Sequence, residues 1–208
     1  MYRLFLKRFL DIVISFFAIP FIVIIIIIIG PIIFLTDRGP VFYCGERLGK
    51  NGKPFKMIKF RSMRVNAPDL RNPDGSTFNG DNDPRVTKIG KFLRTTSIDE
   101  LPQFFNVFIG QMSIIGPRPD PLEDLLIYTE EQKRKLTIRP GITGYNQAYF
   151  RNSVTQEDKF NHDVYYANNV SFYLDIKIFF KTISTIFKKE NVYNEVSKNN
   201  KEEKNNRN

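Results

Sequence analysis

Asp99 and Glu100 stand side by side in Ser97-Ile98-Asp99-Glu100-Leu101-Pro102-Gln103. Adjacent carboxylates can supply a nucleophile, a proton acceptor or a ligand for a hard divalent cation. Pro102 fits the first turn of a helix, where its missing N–H is no loss, so the pattern predicts a helix from about Asp99 to Gly110 with both acids at its N-terminus. Free N–H groups and the helix dipole favour negative charge there and predict that both carboxylates are ionised. The same residues fit a capping box, because Ser97 and Glu100 have the S-x-x-E spacing, and taken alone they favour that structural reading.

Cationic side chains in restrained segments shift the balance. Lys59 and Arg61 lie in Lys-Phe-Arg-Ser-Met (59–63), Arg94 precedes the acidic pair, Arg118 sits in Gly116-Pro117-Arg118-Pro119, and Arg139 opens Arg-Pro-Gly-Ile-Thr-Gly (139–144). Proline on each side of Arg118 fixes the backbone, and a guanidinium so presented suits bidentate phosphate recognition. Each cation is a weak signal by itself. Together with two carboxylates they describe a site for a phosphate ester and a divalent cation.

The elements that must position these groups are short. Val41-Phe42-Tyr43 and Phe55 to Phe60 flank Gly49-Lys50-Asn51-Gly52-Lys53, which predicts a basic β-hairpin around Asn-Gly. Residues 66–85, rich in Asn, Asp, Pro and Gly, read as an irregular loop, and Asp74, Asp81 and Asp83 lack calcium-loop spacing and fit turn chemistry. Helices are predicted over Pro121–Leu136 and Thr155–Asn168. Residues 172–187 read as an amphipathic helix, either lying in a membrane interface or covering a core. From Lys188 onward the chain is mostly Lys, Asn and Glu and predicts a disordered tail.

In 208 residues there are 31 Lys+Arg against 22 Asp+Glu, an excess that calls for an anionic partner: nucleic acid, acidic membrane or phosphorylated substrate. Cys44 is the only cysteine, which excludes an internal disulfide, and His162, the only histidine, reads as a surface or capping residue. Residues 12–36 carry no charge and are long enough to cross a hydrocarbon core. Basic residues flank both ends, Arg3, Lys7 and Arg8 before and Arg38, Arg47 and Lys50 after, so both ends ask to be cytoplasmic. A helix bent at Pro20 or Pro31 would satisfy that; a single crossing with tolerated prolines is the alternative.

The sequence closely resembles the bacterial sugar transferase family, the monotopic phosphoglycosyl transferases, over about residues 3–190. The likeness is carried by Lys-Arg-Phe-Leu-Asp (7–11), Lys-Phe-Arg-Ser-Met (59–63), Asp-Pro-Arg-Val-Thr-Lys-Ile-Gly (83–90), Asp-Glu-Leu-Pro-Gln (99–103), Met-Ser-Ile-Ile-Gly-Pro-Arg-Pro (112–119) and Arg-Pro-Gly-Ile-Thr-Gly (139–144). The resemblance implies that a UDP-sugar gives its sugar-1-phosphate to polyprenyl (undecaprenyl) phosphate. Asp99 would be the nucleophile, Glu100 a Mg2+ ligand, and Lys59, Arg94 and Arg118 phosphate-binding groups, with Arg61 and Arg139 as weaker candidates that could instead meet anionic lipid. It further implies a mostly helical α+β fold, monotopic in the cytoplasmic leaflet of the bacterial inner membrane: a re-entrant helix at 1–37, a catalytic domain at 38–190 and a tail at 191–208. The chain length resembles the minimal catalytic form.

Departures from the family pattern fall at Gln111, where an acidic residue is usual, and at Tyr145–Asn152, a changed segment that could bear on sugar choice. Two rival readings remain at this stage. One is a membrane-anchored basic module holding nucleic acid or acidic lipid, which has no need of Asp99 and Glu100; the other is a metal-dependent nucleotide-sugar hydrolase. The resemblance favours the transferase and no nucleic-acid partner.

Overall fold

The computed structural model describes residues 1–71, 78, 80, 83–150 and 153–188. The predicted tail at 191–208, together with Asp74 and Asp81, lies outside them. A π-helical turn at Tyr2–Leu6 runs into helix α1, Lys7–Asp37, which at ~1.5 Å per residue is ~46 Å long. Pro20 and Pro31 both lie inside α1, and neither ends it. Arg38 in the left-handed conformation closes it, donating its N–H to the Phe34 carbonyl.

Both ends of α1 dock on the same domain. Near the N-terminus Lys7 pairs with Asp175 at 2.5 Å, and Tyr2 donates its hydroxyl to the same carboxylate. Arg8 donates to the carbonyls of Val107 and Phe108 at 2.6 and 2.8 Å, and Asp11 accepts from the Ile114 N–H at 3.0 Å. At the other end Ile29 and Ile33 pack against Phe60 and Leu93, and Asp37 pairs with Arg61 at 2.6 Å. Between these anchors Phe16, Phe17, Phe21, Ile24, Ile27 and Ile28 are exposed.

The hairpin forms as the sequence predicts, with a longer first strand. Strands β1 (Phe42–Leu48) and β2 (Pro54–Phe60) pair antiparallel, Tyr43 opposite Lys59 and Leu48 opposite Pro54. Asn51 and Gly52 take left-handed φ of 58° and 72° at the turn, the conformation for which Asn and Gly are suited. Helix α2 (Lys88–Thr96) is capped by the Thr87 side chain and ends at Ser97. Helix α3 is Gln103–Ile109. Strands β3 (Ser113–Ile115) and β4 (Gly141–Thr143) form a two-stranded parallel pair. Helices α4 (Tyr145–Tyr149), α5 (Gln156–Asn168) and α6 (Phe172–Lys188) complete the described chain.

Two predicted helices differ. Pro121–Leu136 is split into short 3-10 turns at Leu122–Leu126 and Gln132–Thr137. Thr129 and Gln132 exchange side-chain-to-backbone bonds, a local alternative to the helical ladder, while Tyr128 turns inward onto Phe160. The helix predicted from Asp99 begins instead at Gln103, and Asp99 and Glu100 occupy a separate 3-10 turn, Ile98–Glu100. Ser97 is left-handed at φ 58° and makes no side-chain cap, so the capping-box alternative is not formed.

Helix α6 covers the core with one face and leaves the other apolar and exposed. Ile178 and Asp175 are buried against the core, where Asp175 also accepts from Tyr166, while Phe172, Tyr173, Ile176, Phe179 and Phe180 face outward. The core joins Ile115, Ile138, Ala148, Tyr166, Ala167 and Ile178 across β3, α4, α5 and α6. Close backbone packing fixes α2: a Cβ on Gly90 would lie 1.9 Å from the Ser62 carbonyl oxygen.

Candidate active site

Lys59 and Glu100 come together because the hairpin and the 3-10 turn share a core. Phe60 turns inward with Leu93, and Ile98, just before the acids, packs on the same cluster. Strand alternation then directs Lys59 away from that cluster, toward the acids. Asn106 on α3 fixes β2 from behind, accepting from the Ile58 N–H at 3.0 Å and donating to the Lys56 carbonyl at 2.8 Å. Gln111 in turn accepts from Asn106 at 2.7 Å, so the departure at this position enters the network that holds the strand.

Glu100 is the anchored acid. Its Oε1 accepts from Lys59 Nζ at 2.7 Å and from Arg118 Nη2 at 3.1 Å. Burial by itself would raise this carboxyl, but the two cations hold it down at about 2. Burial pushes the Lys59 ammonium below its usual value, opposed by the charge of Glu100. Asp99 has the opposite character: among the described residues its carboxylate takes part in no hydrogen bond or ion pair. Burial, and next the neighbouring charge of Glu100, push it up to about 6. Both carboxylates are thus ionised at neutral pH, Glu100 far below it and Asp99 only above about 6.

Of the five predicted cationic residues the structure brings two, Lys59 and Arg118, directly onto the dyad. Arg94 donates its Nε–H to Ser62 Oγ at 2.9 Å, and its charge acts on Asp99 in concert with Lys59 and Arg118. Arg61 is placed elsewhere: it is buried, donating to the Pro40 carbonyl at 2.5 Å and to Asp37 at 2.6 Å, so it fastens the end of α1. Arg139 donates to the Gly110 carbonyl at 2.8 Å beneath α3. His162 stacks on Phe150 and pairs with Asn146, outside the dyad, and Asp83 accepts from the Arg85 backbone and side chain, as turn chemistry predicts.

Sequence reasoning passed over Ser62 and Asn106, which orient Arg94 and β2. It also passed over a buried network in which Lys135 bonds both Asp120 and Asp163, with Tyr128 donating to Asp120. Asp120 lies two residues beyond Arg118, so this network ties down the segment that presents that guanidinium. A polar residue inside a helical apolar pattern, such as Asn106, was the one available signal.

Among the described residues no third acidic, His or Cys side chain joins Asp99 and Glu100. Glu100 Oε2 is left without a hydrogen bond, as is the Asp99 carboxylate. Hard oxygen donors from one or two carboxylates, completed by substrate phosphates and water, are what Mg2+ uses, so these residues fit that ion.

Fold and site together define a class: an α+β protein with, among the described residues, one helix long and apolar enough to cross a membrane, and a carboxylate pair that Lys59 and Arg118 hold through Glu100. Residues 2–189 match the bacterial sugar transferase family, and the chain belongs to it. It is 43% identical over 188 residues to the galactosyl transferase CpsE of Streptococcus agalactiae, a match covering 86% of this chain and 42% of that protein. It is 40% identical over 200 residues to the UDP-glucose:undecaprenyl-phosphate glucose-1-phosphate transferase of Klebsiella pneumoniae, 90% of this chain and 41% of that protein. The chain thus spans about two-fifths of these relatives. With the uncharacterized sugar transferase EpsL of Bacillus subtilis it shares 39% identity over 187 residues, 90% of each chain.

Proposed function

We propose that this protein transfers a sugar-1-phosphate from a UDP-sugar to polyprenyl phosphate, releasing UMP. The observation that carries the reading is the division of labour in the dyad, with Glu100 held by Lys59 and Arg118 while Asp99 stays unpaired beside it. An oxygen of Asp99 attacks the β-phosphorus, the new aspartyl O–P bond forms, and the bond from β-phosphorus to the bridging oxygen breaks. UMP leaves with that electron pair. An oxygen of the lipid phosphate then attacks the same phosphorus, the aspartyl O–P bond breaks, and the carboxylate is restored with the polyprenyl-diphosphate sugar as product. The names of relatives that act on undecaprenyl phosphate support donor and acceptor classes.

Lys59, Arg94 and Arg118 gather positive charge where the diphosphate must lie, and positioning with charge neutralisation is most of what phosphoryl transfer requires. Glu100, with its free oxygen, would hold Mg2+. That ion, when bound, supplies Lewis-acid neutralisation of the diphosphate.

The attachment of both ends of α1 to one domain supports the re-entrant reading, because a helix crossing the bilayer would carry one end to the far side. The exposed apolar face of α6 then lies in the same interface, and the catalytic domain on the cytoplasmic face. The test uses the purified protein in lipid nanodiscs with magnesium, undecaprenyl phosphate and a panel of β-32P-labelled UDP-sugars. We expect UMP, labelled lipid and, without acceptor, labelled protein that is lost in Asp99→Asn. UMP release with free sugar phosphate and no labelled protein or lipid would identify a hydrolase instead.

A further inference from the structure

Tyr43 lies directly opposite Lys59 in the register of β1 and β2. Residues paired in this way share one face of the sheet, with Cβ atoms about 4.5–5.5 Å apart. Phe42 and Phe60, one position along on each strand, stack together on the other face. From the Tyr43 face Lys59 reaches Glu100 Oε1 at 2.7 Å. Arg118 reaches the same oxygen from beyond the outer edge of β1, where the Leu48 N–H donates to the Asp120 carbonyl at 2.9 Å and Leu48 and Gly49 share a crevice with Pro117 and Arg118. Tyr43 and Gly45 therefore lie on the face bounded by β2, which carries Lys59, and by the segment that carries Arg118.

The Tyr43 ring is laid along the strand rather than into the core. A Cβ on Gly45, two residues on and on the same face, would lie 2.8 Å from both Cε1 and Oη of Tyr43, so the absence of a side chain at 45 lets the ring rest there. Gly45 is buried, while Tyr43 stays half exposed. Among the described residues its hydroxyl makes no hydrogen bond and its ring meets no aromatic or cationic partner. An exposed aromatic residue needs no explanation in itself; this one presents an open ring beside the two cations that hold the acidic pair.

A UDP-sugar carries one planar aromatic group, the uracil, one ribose away from its diphosphate. An open aromatic ring next to phosphate-type cations matches that order of groups. We propose that Tyr43 is the residue on which the uracil of the donor stacks, while Lys59 and Arg118 meet the diphosphate. The proposal rests on the transferase reading and adds the group that recognises the nucleotide. Gly45 becomes a positioning residue, since it sets how the ring lies. Stacking serves any donor with the same base, so Tyr43 supplies affinity and leaves the choice of sugar to other residues.

The experiment measures binding of UMP and of 5,6-dihydro-UMP, whose base is neither aromatic nor planar, to the protein in lipid nanodiscs. Wild type should bind UMP the more tightly. Tyr43→Ala should weaken UMP by about 5- to 100-fold, the range for removing one aromatic partner of a base, and should bind the two nucleotides alike. Tyr43→Phe keeps the ring and should match wild type; Gly45→Val lifts the ring off the strand and should weaken UMP more than dihydro-UMP. A wild type that does not distinguish the two nucleotides, or a Tyr43→Ala that still does, would overturn the proposal.

Turnover with undecaprenyl phosphate gives a second reading. In Tyr43→Ala the donor KM should rise by the same factor while kcat at saturating donor stays near wild type, the pattern for binding lost equally from ground and transition states. A fall in kcat at unchanged KM would place Tyr43 on the transferred phosphosugar and overturn the assignment to the base. Failure of wild type to release UMP from any donor would strike at the transferase reading, whereas the nucleotide comparison would still decide the role of Tyr43.

Discussion

The Lys59 ammonium lies 2.7 Å from Glu100 Oε1 across 41 residues of sequence, and this contact assigns different tasks to two neighbouring acids. Glu100 is neutralised by Lys59 and by Arg118; Asp99, one residue away, is left ionisable and unpaired. Lys59→Met should therefore lower kcat for UMP release by about 10²–10³, the usual cost of removing one preorganised charge-stabilising donor. Lys59→Arg should recover part of it. The rate of the single UMP burst with donor alone and steady-state kinetics with acceptor check this, and unchanged rates would remove Lys59 from the site.

With Asp99 pushed up to about 6, the nucleophile is charged only above that pH. Donor kcat/KM, which reports the free enzyme, should rise through about pH 6 and then level. Glu100→Gln removes the neighbouring negative charge, so the Asp99 midpoint followed by 13C-carboxyl NMR should move down. A midpoint that does not move would mean that burial sets the value by itself.

The same shift has a stability consequence. A carboxyl whose folded pKa exceeds its unfolded value penalises the folded state once it ionises, fully above about 6 and not at all below its usual 3.8. Asp99→Asn should thus stabilise the protein by roughly 1–3 kcal/mol at pH 7, while abolishing labelling. The gain should shrink as the pH falls from 6 toward 4. Denaturant unfolding at several pH values measures it, and a gain independent of pH would refute the cause given.

Lys135 is buried between Asp120 and Asp163, and burial pushes the Asp163 carboxyl up to about 6 against the opposing charge of Lys135. Removing the shared cation strands two buried acids. Lys135→Met should cost about 3–5 kcal/mol, the range for breaking a buried pair by deleting one partner, and more than Lys133→Met, which removes only an exposed pair with Glu130. Thermal denaturation of the two variants decides it.

Gly90→Ala places a Cβ against the Ser62 carbonyl, and backbone cannot yield as a side-chain tip can. Helix α2 must shift, taking Arg94 off Ser62. We expect a loss of about 2–4 kcal/mol, in the upper range for single substitutions, and a raised donor KM. Wild-type stability would show that α2 is free to slide.

Local chemistry made much of this protein legible from its sequence. The uncharged run at 12–36, the Asn51-Gly52 turn, the amphipathic period of α6 and the adjacency of Asp99 and Glu100 are set by residues a few positions apart. Where the reading failed, at residues 121–136, Thr129 and Gln132 bonded locally and Tyr128 found a distant aromatic partner, Phe160, which periodicity does not report.

Sequence by itself determined that a long apolar helix, a basic hairpin and an acidic pair exist. Only the tertiary structure decided that both ends of the helix return to one domain, that Arg61 fastens that helix while Lys59, two residues away, meets Glu100, and that Asp99 is the acid left unpaired. The physical reason is range. Helix and turn formation depend on neighbours along the chain, whereas the partner of a charge and the water around it depend on which distant segments the core has packed against it.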